Sequence, residues 1–363
     1  MVVAFHLLSA TPQFATPAVF KHVLEKRVAT LLANRRTTDS PVMYAKAIGL
    51  FLMTAGSYYA LVFQAASTPA ALFWGFILSM ALVGIGFNVQ HDGNHGGFSK
   101  YAFINRSAGF TLDLIGASSY FWADKHNHNH HVYTNIPHED ADINLGPLAR
   151  LSEEHRWIWY HRFQHIYLWF LYAFVHLRYL VTDLQRLTGL KKDGLTANYP
   201  KGADFYRLVI GKVIFMSFAF ALPLTQHSFG RVIGMYVLVS MAMGVVFSIV
   251  FQLAHTVDNV EHPLHGATDH NEWVVHQIRT TSDFAASNRF VSFTLGGLNF
   301  QREHHLFPKV SHVHYPEIAK VIREVCKEHK IEICESPSLW DAMRSHYRFV
   351  KAMGMKPQTP INA

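Results

Sequence analysis

The sequence predicts an all-α polytopic membrane protein: four transmembrane helices in two hairpins, with a cytoplasmic helical cap carrying a histidine-rich metal site. Three observations predict it. Four apolar runs, at about residues 47–66, 70–89, 209–224 and 231–254, punctuate a chain of 363 residues. Only 16% of the residues are charged, against roughly 25% in ordinary soluble domains. The 25 histidines concentrate where the apolar runs end.

The first two runs each have the length of about 20 residues needed to cross ~30 Å of hydrocarbon. Only Ser67-Thr68-Pro69 separates them, so they read as a helical hairpin. The third run is short, with room to extend at its start, and the fourth follows after a brief connector. Lys and Arg number 6 in residues 1–46, 12 in 90–208 and 12 in 255–363. The connectors carry only Arg231, and Lys212 lies inside the third run. The positive-inside rule therefore puts regions 1–46, 90–208 and 255–363 in the cytoplasm, both termini included. The stretch 166–177 is apolar but too short to cross, and its basic flanks suit an interfacial helix. Residues 109–122 are similar, partly sunk beside the second span.

No basic region followed by an apolar one opens the chain, so no cleavable signal peptide is expected. Cys326 and Cys334 form no disulfide framework, and a reducing compartment is the default. With no repeat or linker tract, the chain is expected to form one domain over 1–363. The formal charge of +7 sits beside membrane runs, and no nucleic-acid partner is expected.

Three clusters carry the chemistry. His91 and His95 stand i, i+4 at the end of the second run, on one helix face. His126 and His130 repeat that spacing, with His131 adjacent and His128 about 200° round from His126, solvated or hydrogen-bonded to a ligand. His304 and His305 form the third, with Gln301 one turn earlier. His255 ends the fourth run as His91 ends the second. Neutral imidazole binds iron, zinc and copper, and returning to it after some 170 residues points to one shared metal site.

HDGNH, KHNHNHHVYTN and QREHHLFP resemble the three histidine boxes of the membrane fatty-acid desaturase superfamily. FQLAH, EWVVHQIRTTSDF, GGLNFQREHHLFP and HVHYP resemble its acyl-lipid and linoleoyl-CoA branch. The resemblance spans about residues 40–350 and implies a centre of two iron ions, with O₂ as co-substrate. It implies the ligands His91, His95, His126, His130, His131, His304 and His305, with His255 an eighth. Gln301 replaces a histidine common in the family, so it offers an amide oxygen, holds a water, or does nothing. His276 also matches a histidine of this branch. Asp92, Asp124, Asp140, Asp142 and Glu303 are candidates to accept the second imidazole N–H.

The reaction implied is removal of two hydrogens from adjacent methylenes of a membrane acyl-lipid or acyl-CoA, giving a cis double bond. No flavin or nicotinamide fingerprint occurs, and no HPGG of a fused cytochrome b5 domain. A separate electron carrier is implied, ferredoxin or cytochrome b5 with its reductase. Lys191, Lys192 and the basic tail could dock it, or bind anionic headgroups. The nearest rival is a hydroxylase or ketolase of the same superfamily. A zinc hydrolase lacks its HExxH, and a histidine-rich metal transporter would want ionisable groups in mid-span.

Overall fold

The computed structural model describes residues 14–15, 19–188, 199–265 and 272–357; Lys191 and Lys192 lie outside the described residues. Four helices are long and apolar enough to cross a membrane: Pro41–Gln64, Thr68–His95, Ala203–Leu224 and Phe229–His255. The all-α polytopic architecture is thus present, with longer spans than the apolar runs alone define. The second begins where Ser67 accepts a hydrogen bond from Ala70 N and Pro69 occupies the first turn, an N-cap arrangement that suits a tight hairpin. The third extends back to Ala203, as its polar first turn permits.

The spans are not equivalent. In the apolar windows of the second and fourth, 56% and 44% of residues are buried, against 17% and 22% for the first and third. The second and fourth form the inner pair, and these two end in histidine. Lys212, the charge inside the third span, reaches Asp183 Oδ2 at 2.7 Å and Gly116 O at 2.6 Å. A lysine inside an apolar helix is tolerable when its ammonium is paired in this way.

The cap is built from shorter helices. Gln164–Tyr172 and Val175–Leu187 replace a fifth crossing, and Ile166 and Phe170 stay exposed along their apolar edge, as an interfacial helix requires. Ala102–Ile115 packs against the helix turn His91–His95. Gly93 makes that approach possible: a Cβ there would meet Gly109 N and Ala108 Cβ at 2.6 Å. Val19–Leu32 buries Leu24 and Val28 against Ile318 and Ile322 of Tyr315–His329. A parallel two-stranded ribbon, Ser282–Phe284 with Cys334–Ser336, ties box three to the C-terminal helices.

Candidate metal centre

Local backbone geometry aims each box inward. The second span runs through a π-helical turn, Gly86–Gln90, into His91–His95. It stops at Gly96, whose φ of 78° is left-handed, the ending glycine favours. Box two is itself π-helical over Asp124–His130, not the α-helix its i, i+4 spacing predicts. The wider turn keeps His126, His130 and His131 buried and leaves the His128 side chain 71% exposed, beside Asp124 at 3.4 Å. Such π turns recur at functional sites. Box three occupies Gln301–Leu306, and Gly296 lets its preceding turn wedge against the second span. At φ 61°, a Cβ on Gly296 would lie 2.5 Å from Phe87 O.

Eight imidazoles meet in one buried cluster. Ring centroids lie 4.4 Å apart for His91 and His304, 4.6 Å for His130 and His255, and 4.2 Å for His131 and His305. Two groups emerge whose donor atoms lie within 4.8 Å of one another: His91, His95, His126 and His304, and His130, His255 and His305. His131 stands beside His304 and His305 and joins the groups. Asp142 makes a further such group with His126 and His130.

The hydrogen bonds make the cluster directional. His130 Nδ1 faces Asp140 Oδ2 at 3.1 Å, and His305 Nδ1 faces Gln277 Oε1 at 2.8 Å. His304 Nδ1 lies 3.5 Å from Tyr315 OH, and His255 Nδ1 3.5 Å from Thr280 O. The Nε2 atoms of His91, His95, His255, His304 and His305 are buried without a hydrogen-bond partner. His126 and His131 turn their Nε2 atoms toward each other at 3.2 Å. An imidazole held through Nδ1–H with a bare Nε2 lone pair is a metal ligand by its chemistry. Buried acceptors left empty in this number cost stability, and a cation bound among them removes that cost. These residues fit a metal centre.

Electrostatics agree. Burial and the neighbouring imidazoles hold His126, His131, His304 and His305 well below the ordinary histidine range, so they are neutral and able to ligate. His130 is the exception: burial lowers its pKa, but the Asp140 carboxylate outweighs that and raises it. Around the third box, Arg302 is buried between Asp283 and Glu335, bonding Glu335 Oε1 at 2.6 Å. Burial, and Asp283 beside it, push Glu303 well above the usual carboxylate range.

The other candidates divide. Asp140 accepts from a cluster histidine, Asp92 lies 3.9 Å from His91 Nδ1, and Glu303 turns instead to Arg302 at 3.7 Å. Gln301 is buried, its Nε2 donating to Leu298 O at 2.8 Å and its amide against His255. His276 is buried on Trp273–Thr280 but belongs to none of the donor groups among the described residues. Its neighbour Gln277 reaches His305 in its place. Gln277, Thr134, Tyr315 and His312 are the contacts that sequence reasoning missed. All four stand inside quoted stretches, yet a lone polar residue has no spacing to give it away.

A four-span helical membrane protein with a buried imidazole cluster at one end of its inner spans is a membrane metalloenzyme in form. The fatty acid desaturase family model matches residues 66–337, and the chain belongs to that family. Similar proteins include the sn-1 linoleoyl-lipid 6-desaturase of Arthrospira platensis, 34% identical over 94% of each chain. That of Synechocystis sp. is 34% identical over 94% of this chain and 97% of its own. An acyl-lipid (8-3)-desaturase of Physcomitrium patens is 33% identical over 93% of this chain and 72% of its own. The protein is an oxidoreductase, a fatty acid desaturase.

Proposed function

We propose that this protein introduces a cis double bond into the acyl chain of a membrane lipid, using O₂ and two electrons from a separate carrier. The carrying observation is the set of five buried, partnerless Nε2 atoms, three of them on rings held at Nδ1. The proposed ligands are His91, His95, His126 and His304 around one iron, and His130, His255 and His305 around a second, with His131 between. When bound, the iron pair would supply the O₂-derived oxidising power that an unactivated methylene requires and no side chain possesses. The chain's own part is positional. Asp140 and Gln277 fix the tautomers of His130 and His305, and Trp122 stacks on His126 at 4.3 Å. Burial keeps His126, His131, His304 and His305 neutral and excludes water.

The relatives' names favour an acyl-lipid over an acyl-CoA, and a chain that is already unsaturated. The carrier is a ferredoxin or a cytochrome b5, docking on the basic cap. The chain works as one domain, with the cap and both termini cytoplasmic; the distribution of Lys and Arg supports this. The deciding experiment is lipid analysis of a host expressing the protein, with metal analysis of the purified chain. A new cis double bond and about two irons per chain are expected. A hydroxylated product would move the reading to the hydroxylases, and stoichiometric zinc without iron would end it.

A further inference from the structure

The short helix Arg289–Thr294 lies outside the histidine cluster, and none of its residues is fully buried. Asn288 caps it, the side-chain oxygen accepting from Phe290 N and Val291 N at 3.1 Å. Val291 and, one turn on, Leu295 pack inward on the core that includes Met43 and Phe87. Phe290 and Phe293, three residues apart, are neighbours on the other face. They are 75% and 53% exposed, and Phe290 is the most exposed large apolar side chain among the described residues. Two adjacent rings left bare mark a contact surface.

Two hydrogen bonds set the height of this helix. Lys46, on the second turn of the first span, donates to Phe293 O at 2.6 Å, and its ammonium lies 4.2 Å from the centre of the Phe293 ring. Asn88 of the second span donates to Thr294 O at 3.1 Å. The first span has 24 residues, about 36 Å of helix against ~30 Å of hydrocarbon, so Lys46 lies close to the hydrocarbon edge. Val42 and Ile48, before and after Lys46, are both exposed. The bare apolar surface of the span therefore begins level with the short helix.

We propose that Phe290 and Phe293 insert into the lipid leaflet on the cap side, making Arg289–Thr294 a membrane anchor for the third box. This rests on the four spans and not on the reaction. The occupant is lipid, because the helix is bonded to two spans at the depth where hydrocarbon ends. At that depth the phenyl rings leave water for the acyl region. Arg289, exposed at the start of the helix, keeps its charge among the headgroups, as in other interfacial helices. The helix leads through Gly296 and Gly297 into Gln301–Leu306, so only seven residues separate Thr294 from the start of the third box.

The test uses the full chain in phosphatidylcholine vesicles. Phe290→Cys and Phe293→Cys, each in a Cys326→Ala, Cys334→Ala background, carry a small environment-sensitive fluorophore. Lys327→Cys, at an exposed position of Tyr315–His329, is the reference. Lipid-borne nitroxide should quench the labels at 290 and 293 strongly and aqueous iodide weakly, and the order should reverse at 327. A second arm uses the unaltered chain, so it does not depend on the variants folding. A phospholipid with a photoreactive acyl chain should label the peptide spanning 287–295 as well as those of the four spans. Iodide quenching at both 290 and 293 without quenching by lipid, or labelling of the spans but not of that peptide, overturns the proposal and leaves the rings to a soluble partner. Neither arm needs turnover. A chain anchored in this way that desaturates no lipid would sink the functional reading and keep the anchor.

Discussion

His312 Nδ1 donates to Asp92 Oδ2 at 2.7 Å, joining a residue just after box three to the interior of box one. The Asp92 carboxylate lies 3.9 Å from His91 Nδ1 on its other side. Lys46 Nζ approaches His312 Nε2 at 3.3 Å and also holds Asn88 Oδ1 at 2.6 Å. One network thus links the first span, the second span and the third box. It fixes Asp92 so that the carboxylate can orient the His91 ring.

Removing His312 should loosen His91 without removing a donor atom. His312→Ala is expected to weaken iron binding by about 10- to 100-fold, the usual cost of losing a partner that orients a ligand. His314→Ala, two residues on, breaks only a bond to Arg36 O and should be mild. Iron titration of both purified variants checks this. Equal affinities would show that the network is structural only.

The proposed ligands should behave differently. His130, His131, His304 or His305 to Ala should each abolish desaturation while the protein still inserts in the membrane. His138→Ala should leave activity near normal, because its side chain is 60% exposed and 3.7 Å from Glu154, outside the cluster. Activity in His305→Ala would break the ligand assignment.

Much of this was legible in sequence, and the reasons are physical. Spans are legible because apolar length is dictated by the bilayer, and boxes because ligands of one ion must recur at helical spacing. The helix ends were harder: polar Asn88, Gln90 and Asp92 hide the continuation of the second span to His95. The π-helical form of box two is invisible to a spacing count, because it depends on tertiary packing of Trp122 and the histidines. Gln277 is illegible beside His276, since histidine is a common metal ligand and a single glutamine carries no ligand pattern. The Asp283–Arg302–Glu335 clamp was hidden as well, because its three members are scattered along the chain.

That clamp gives a stability prediction. Arg302 is wholly buried between two carboxylates. Removing one partner leaves uncompensated charge, at about 3–5 kcal/mol. Asp283→Ala should lower the melting temperature sharply and release iron, since Arg302 precedes His304 by half a turn. Glu335→Ala should cost less, because that side chain is 33% exposed. Melting curves of the two variants decide the order.

Acid should destabilise the metal-free protein. His346 and His262 are both pushed down to about 4, chiefly by burial. A histidine whose folded pKa is depressed binds fewer protons folded than unfolded between about pH 6.5 and 4. Its stabilisation is therefore complete above about pH 6.5 and declines as pH falls toward 4. For His346, held by Tyr172 OH at 2.6 Å, the full range is on the order of 3 kcal/mol. Melting temperature against pH should fall through this window, and His346→Gln should make the fall shallower by His346's own share, with His262 and the cluster histidines supplying the rest. A profile with no slope there would contradict the buried, neutral assignment.

Gln301 is where this chain departs from the all-histidine pattern, and its setting is now specific. Its Nε2 is committed to Leu298 O, and its amide lies against His255. The side chain cannot turn freely, so its oxygen has a fixed outlook on the His130, His255 and His305 group. Gln301→Ala removes that support while keeping every imidazole. Iron should then fall from about two toward one per chain, with the loss confined to that group. Gln301→His adds a stronger donor and more bulk. It should keep the iron and change the rate or the position of the double bond. Gln301→Glu tests charge at constant shape: a carboxylate would strengthen binding but lose the donation to Leu298 O. Iron content and fatty-acid profile, measured for all three variants in one host, separate these outcomes. If none of the three moves either quantity, Gln301 only braces the turn before box three, and the second group is complete with its three imidazoles.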